Sequence, residues 1–319
     1  GELKQALKDA LPHDRLKELH ERQPWRHFAV VAHQVLLLGL CTAALIQTQW
    51  AWLWVPAAIL QGFTIFNFTV LLHEVVHHVV WPRRREGAER ILGLAYAMPS
   101  GISASQFTRW HLDHHQELGS PTDDPKRFHL SPKRNARWYK LLYMTPALFF
   151  IYFRAAKRET STYPPELQAK IKRERLASIA FHLSVLGGLA LWEPLIALRV
   201  HAIPVFLVFP VAFTLNRIGQ HYWVDPSDPA KWSTLVKSHP FWNWIFLGSN
   251  FHLEHHYFPG VPLYRLHELH EQLRPVYRER GLKAHGYGEL LWHWFVLNKP
   301  PHARWEADGP VEGEAVATS

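Results

Sequence analysis

The sequence predicts an all-α integral membrane protein, with about four transmembrane helices under a cytoplasmic helical cap. Three observations predict it. Long apolar runs occur as two closely spaced pairs. Apolar residues make up 48% of the 319 residues, yet the mean hydropathy is slightly negative, so the spans carry a large polar portion. Many of the 23 histidines fall in tight clusters at or beyond the ends of the runs.

Residues 1–27 form a charged segment with helical periodicity. Asp14, Lys17, Glu18 and Glu21 fall between Leu11, Leu16 and Leu19. This reads as a cytoplasmic helical segment, not a cleavable signal peptide. A spanning helix needs roughly 20 mainly apolar residues. Runs at 28–47 and 51–72 meet that length, and the short QTQW link makes them an antiparallel pair. The third span is placed at 176–200 and the fourth at 202–221, the last extended by helix through Asn216 to His221. Two shorter stretches, 91–102 and 141–153, are too short to span and read as helices lying in or dipping into the interface. The membrane domain is thus expected over 28–307. The tail, 308–319, has no periodicity and is expected to be disordered.

Basic residues set the orientation. Arg22 and Arg26 precede the first span, Arg83, Arg84, Arg85 and Arg90 follow the second, and Lys170, Lys172, Arg173 and Arg175 precede the third. The two opposite turns hold only Arg199, with His201. By the positive-inside rule both termini and all the histidine clusters are cytoplasmic. Trp50, Trp52 and Trp54 suit an aromatic belt at the outer face. The expected location is multi-pass in a bacterial cytoplasmic membrane. The net charge of +8 sits in loops flanking apolar runs, which sets nucleic acid aside. Cys41 stands alone, so neither an intrachain disulfide nor a cysteine zinc site is available.

The clusters carry the chemistry. HEVVHH holds His73, His77 and His78; HLDHH holds His111, His114 and His115; HLEHH holds His252, His255 and His256. Spacings of three and four put these imidazoles on one side of a helix, as several donors converging from a rigid element require. His78 follows a pair that is already complete and reads either as an outer partner or as a bystander. His221, in RIGQHYW, is a further candidate, because the fourth helix brings it to the level of the boxes. Asn216, five residues earlier, is a weaker one. Glu74, Asp113 and Glu254 lie inside the boxes and are candidates for accepting the outer ring N–H of a ligating histidine. Imidazole suits zinc, copper, iron or nickel. A closed structural zinc needs four ligands, whereas eight or nine histidines favour a dinuclear redox site.

HEVVHH, HLDHH and NFHLEHHYFPGVP, in this order, resemble the three histidine boxes of the membrane fatty acid desaturase superfamily, and in the short first box most resemble acyl-lipid desaturases. The resemblance runs from about Phe63 to Pro275. It implies a non-haem diiron centre that uses O2 to remove hydrogen from an unactivated C–H bond. The ligands it implies are His73, His77, His111, His114, His115, His221, His252, His255 and His256. It also implies a water-mediated Asn ligand, for which Asn216 stands one residue further from His221 than in some animal members. Its substrate would be a long-chain acyl lipid or acyl thioester.

Three function classes compete. The first is a fatty acyl desaturase. The second is a hydroxylase, carotenoid ketolase or alkene-forming decarboxylase of the same superfamily. The third is a histidine-rich metal transporter, which would place its polar groups near the bilayer midplane, whereas these clusters lie at the span ends. No iron–sulfur cysteine set and no Gly-rich dinucleotide fingerprint is present. Electrons are therefore expected from a separate ferredoxin or cytochrome b5-like protein with its reductase. Arg83, Arg84, Arg85, Lys157, Arg158, Lys170, Lys172 and Arg173 are the candidate docking patch for such an acidic carrier.

Overall fold

The computed structural model describes residues 2–224 and 233–302. The predicted tail at 308–319 lies outside them. The described residues are helical and form no β-strand beyond two isolated bridges. Four helices are long and apolar enough to cross a membrane: α3 (Pro24–Gln47), α4 (Ala51–Val76), α10 (Pro165–Trp192) and a composite fourth span, Pro194–His221. The fourth span is built from α11 (Pro194–Ala197), a wider π-helical segment (Leu198–Val208) and α12 (Phe209–His221). α4 is the most buried of the four spans and α10 the least.

The boundary between the last two spans differs from the sequence expectation. The third span ends at Trp192, not Val200, and Arg199 and His201 lie inside the fourth span. Proline explains the shift. Pro194 biases the residue before it away from helical backbone, and Glu193 is extended at φ −156°, ψ 111°. The Glu193 carboxylate then accepts the Leu195 N–H, starting the next helix.

Polar groups in the spans are paired with one another, as lipid requires. Gln61 of α4 donates to the Val200 carbonyl at 2.5 Å and accepts from Thr42 at 3.1 Å. Asn67 donates to Gln34 at 3.0 Å, joining α4 to α3. Gly62 lets α4 approach the widened segment: a Cβ there would stand 2.4 Å from Val208 Cβ and 2.9 Å from the Pro204 carbonyl.

The stretch at 91–102 becomes α5 (Glu86–Ala97) and a turn. That turn packs against mid-α4, with Ser100 Oγ 2.8 Å from Thr69 Oγ1. The chain returns as α6 (Ala104–Gln116), whose N-cap Ser103 accepts from Gln106 N. Glu174 of α10 accepts from Ser103 Oγ, Ser105 N and Ser105 Oγ at 2.6–2.9 Å, which anchors the start of α6. The stretch at 141–153 divides between α8 (Arg137–Leu142) and α9 (Ala147–Thr160), with α7 (Pro125–Leu130) before them.

The cap continues as α13 (Pro240–Ile245), α14 (His252–Tyr257), α15 (Leu263–Glu279) and α16 (Tyr287–Leu291). α1 (Glu2–Asp9) and α2 (His13–Leu19) lie on it, burying Leu3, Leu7, Leu11 and Leu19. Arg15 pairs with Glu268 of α15, and Arg265 with Glu18.

Gly62→Ala should lower stability by about 1–3 kcal/mol, the usual cost of overpacking. The thermal unfolding midpoint in detergent measures it, and an unchanged midpoint would show that the helices separate freely at that crossing.

Candidate metal centre

Three helix ends and one short helix meet at the cap side of the spans. His73 lies on the last turn of α4, and His77 is the residue that ends it. His111, His114 and His115 come from the end of α6, and His221 is the last residue of α12. His252, His255 and His256 come from α14, a helix of six residues. A sharp turn delivers α14: Leu247 and Gly248 have φ of 52° and 76°, and a Cβ on Gly248 would press on the Leu263 carbonyl at 3.2 Å. Asn216 Nδ2 donates to Ser249 Oγ, and Gln220 Nε2 to the Ser249 carbonyl, which ties this turn to α12.

The nine imidazoles sort into two groups. His73, His77, His111, His115 and His255 form one; His114, His221, His252 and His256 form the other. Within each group all the ring nitrogens that could bind an ion lie within 4.8 Å of one another. Helix geometry explains the sorting. At 100° per residue, positions i and i+4 are only about 40° apart, while i+3 lies about 60° to the other side. So His111 and His115 share one group and His114 enters the other; His252 and His256 share one and His255 enters the other.

His111, His114, His252 and His255 are buried and the other five are partly buried. Burial pushes His111, His114, His252, His255 and His256 well below the usual imidazole range, and brings His77 and His115 down to about 3. Neighbouring imidazoles and Lys126 add to the depression. The rings are therefore neutral near pH 7, each with one lone pair and one N–H.

The distances then test whether a cation fits. Nε2–Nε2 separations are 3.0 Å for His73–His255, 2.8 Å for His77–His111 and 3.0 Å for His115–His255. In the second group they are 3.0 Å for His114–His221, 2.9 Å for His221–His252 and 3.0 Å for His252–His256. His114 cannot be hydrogen-bonding through Nε2 as a donor, because its Nδ1–H points at Asp124 Oδ1, 2.8 Å away. Its Nε2 lone pair faces further ring nitrogens. An ion about 2.1 Å from each nitrogen would set donors about 3.0 Å apart at 90° and about 3.4 Å apart at the tetrahedral angle, and the separations found lie near the first. The donor sets fit a pair of borderline transition-metal ions.

The sequence matches the family model described as fatty acid desaturase over residues 48–288. The chain belongs to the fatty acid desaturase family. It is 28% identical over 269 residues to a sphingolipid delta(4)-desaturase of Drosophila melanogaster, covering 82% of this chain and 79% of that protein. It is 24% identical over 300 residues to a sphingolipid delta(4)-desaturase/C4-monooxygenase of Homo sapiens, covering 89% and 84%. It is also 24% identical over 338 residues to a temperature-sensitive sn-2 acyl-lipid omega-3 desaturase of Arabidopsis thaliana, covering 92% and 76%. The protein is an oxidoreductase of this family.

The surroundings of the desaturase centre depart from the sequence reading at several acids. Asp113 faces away and pairs with Arg109 one turn earlier at 2.9 Å. Glu254 accepts from His270 Nδ1 at 2.6 Å, joining α14 to α15. Glu74 accepts the Leu263 N–H at 3.1 Å, so it caps the start of α15. Each is tied to the scaffold in place of the outer nitrogen expected for it. Helix phase is the cause: a residue one or two positions from a ligand-facing histidine points elsewhere. His78 has φ of 55° and bonds Glu89 at 2.7 Å, outside both groups. Asn216 lines the adjoining cavity beside His252 and His255.

Asp124 does what the box acids were expected to do. Asp124 holds His114, and its carboxylate also accepts from the N–H groups of Gly119, Lys126 and Arg127. Lys126 Nζ lies 2.9 Å from His111 Nδ1. Burial and the Arg217 guanidinium push the Lys126 ammonium down to about 7, against the opposing pull of Asp124. The signal for Asp124 was present in the sequence: Asp before Pro is an N-cap followed by a preorganised first turn, and it caps α7.

Asp124→Asn keeps a capping side chain and removes the charge behind His114. It should weaken metal retention about 10–100-fold, the usual range for such partners, whereas Asp113→Asn should retain metal as the unaltered chain does. Metal content after a chelator challenge distinguishes them, and equal retention in both would remove Asp124 from the centre.

Proposed function

We propose that the protein is an O2-dependent diiron enzyme that introduces a double bond into a long acyl chain. The observation that carries the reading is the pair of all-imidazole groups beside one cavity with an aromatic, apolar wall. His73, His77, His111, His115 and His255 would hold one iron, and His114, His221, His252 and His256 the other. Two irons would supply O2 reduction coupled to removal of hydrogen from an unactivated C–H bond. The reaction balances as –CH2–CH2– with O2, two electrons and two protons giving –CH=CH– and two waters.

The chain's own residues set the conditions for this. Asp124 fixes the His114 tautomer so that its Nε2 lone pair faces inward. Phe107 stacks on His111 at 5.7 Å and 5°, holding the ring plane. The cavity wall runs from the histidines to Phe149, Tyr152, Phe209 and Phe213, which exclude water and receive an alkyl chain. Hydroxylation is the second reading, because the human relative is named both desaturase and monooxygenase. Desaturation is preferred because the Drosophila and Arabidopsis relatives are named desaturases alone.

The centre and the basic residues Arg83, Arg84, Arg85, Lys157, Arg158, Lys172 and Arg173, all exposed, flank the same ends of the spans. By the positive-inside rule that side, with both termini, is cytoplasmic. The two electrons would come from an acidic ferredoxin or cytochrome b5-like carrier docking on these cations, a steering that salt screens.

Purified protein should carry close to two irons per chain by elemental analysis; one zinc and no iron would overturn the reading. His114→Ala should abolish turnover while membrane insertion survives, since the spans lie elsewhere. Mass spectrometry of products separates the two chemistries, because desaturation removes two hydrogens and hydroxylation adds one oxygen. A reporter placed at residues 48–49 should be external and one at either terminus cytoplasmic. A cytoplasmic signal from 48–49 would break the assigned orientation.

A further inference from the structure

The wall of the cavity is not uniformly apolar. On one side stand Lys126 of α7 and Arg217, Gln220 and Asn216 of α12; on the other stand Leu130, Leu148, Phe149, Tyr152 and Phe153. We propose that the cavity takes an amphiphile by an anionic oxyacid head, carboxylate or phosphate, held by the Arg217 guanidinium, with its hydrocarbon tail along the aromatic wall. This rests on the reading of the centre given above and adds the class of substrate and the region attacked.

Arg217 and Lys126 line the same cavity, and among the described residues no carboxylate lies within 4 Å of either head group. One Arg217 Nη2 hydrogen bond goes to the Lys126 carbonyl at 2.8 Å, which orients the guanidinium beside the lysine. Arg217 remains charged at any pH the fold survives and carries five N–H donors. The nearest acid, Asp124, is already engaged by His114 and three backbone N–H groups. Glu74 is the carboxylate in the cavity wall, and its Oε2 is committed to Leu263 N. The nine imidazoles are neutral ligands and bring no negative charge. A guanidinium on the cavity wall makes that space selective for an anion and matches a two-oxygen head in a bidentate fashion.

Position follows from Lys126. Its Nζ touches His111 Nδ1, so a head group bound there lies one imidazole ring away from the first histidine group. Carbons within a few bonds of the head are then the ones presented. The tail has an exit: Phe153 lines the cavity and is 38% exposed, and Phe150 on the same helix is 85% exposed. α9 thus offers an apolar surface at the membrane side through which a chain longer than the cavity can extend.

The test uses the full-length, iron-loaded chain in a non-ionic detergent, with dodecanoate, dodecyl phosphate and dodecanol as ligands of equal chain length. One charge-assisted hydrogen bond predicts that the better anion binds at least about tenfold more tightly than the alcohol. The two anions distinguish a carboxylate site from a phosphate site. Arg217→Gln should reduce that preference to near unity while dodecanol binding holds, and Arg217→Lys should restore part of it. Should Arg217→Gln fail to fold, inorganic phosphate added to the unaltered chain should weaken dodecanoate binding and spare dodecanol. Equal affinity for alcohol and both anions in the unaltered chain, or an anion preference that survives Arg217→Gln, would overturn the proposal. Iron is measured in the same samples. A chain with the anion preference but without iron would overturn the diiron reading alone, and an iron-loaded chain without the preference would overturn this one alone.

Discussion

Neutral imidazoles do not gather with their ring nitrogens 3 Å apart unless something positive lies between them or their protons are arranged to alternate. At His114 the proton is fixed outward on Nδ1 by Asp124, so its Nε2 can only accept a hydrogen bond or bind a cation. Much of the cap serves to hold these lone pairs in opposition. Four elements must end at one level, and each end is tied independently. Glu174 holds the start of α6, Asn216 and Gln220 hold the turn before α14, and Glu74 and Glu254 lock α15 onto α4 and α14. Removing one tie leaves rings that lose their common focus.

The membrane portion answers a second constraint, the cost of an unpaired polar group in hydrocarbon. Gln61 of α4 donates to the Val200 carbonyl of the widened fourth span. The same crossing is where Gly62 allows close approach. Small residues and paired amides hold transmembrane helices together where the hydrophobic effect offers no contrast between helix and lipid. The span that carries His221 is thereby seated against the span that carries His73 and His77.

Much of this was legible in the sequence, because its strongest signals are periodic. Apolar length predicted four spans; histidine spacing placed eight imidazoles, and the extension of the fourth helix a ninth, His221, that the fold brings together. What escaped depends on helix phase and on partners distant in sequence. Glu74, Asp113 and Glu254 sit beside ligand-facing positions, yet a rotation of 100° per residue turns each toward the scaffold. Asp124 lies ten residues beyond His114, and only the turn into α7 swings it back. The third span was drawn eight residues too long because hydropathy continues across Glu193 and Pro194, where backbone geometry breaks the helix. The sorting of His111 and His115 from His114 follows from helix phase, but which helices supply the other members of each set does not.

That interleaving bears on how the protein is made. Each group mixes residues from before position 116 with residues from after position 220. The ribosome must therefore deliver α14 before either group is complete. The amino-terminal half alone offers four imidazoles to one group and a single one to the other. Filling of the second group is consequently a late event in biogenesis, following the fourth span and α14. Until then the converging ends of α4 and α6 are an unfinished, solvent-accessible funnel of histidines.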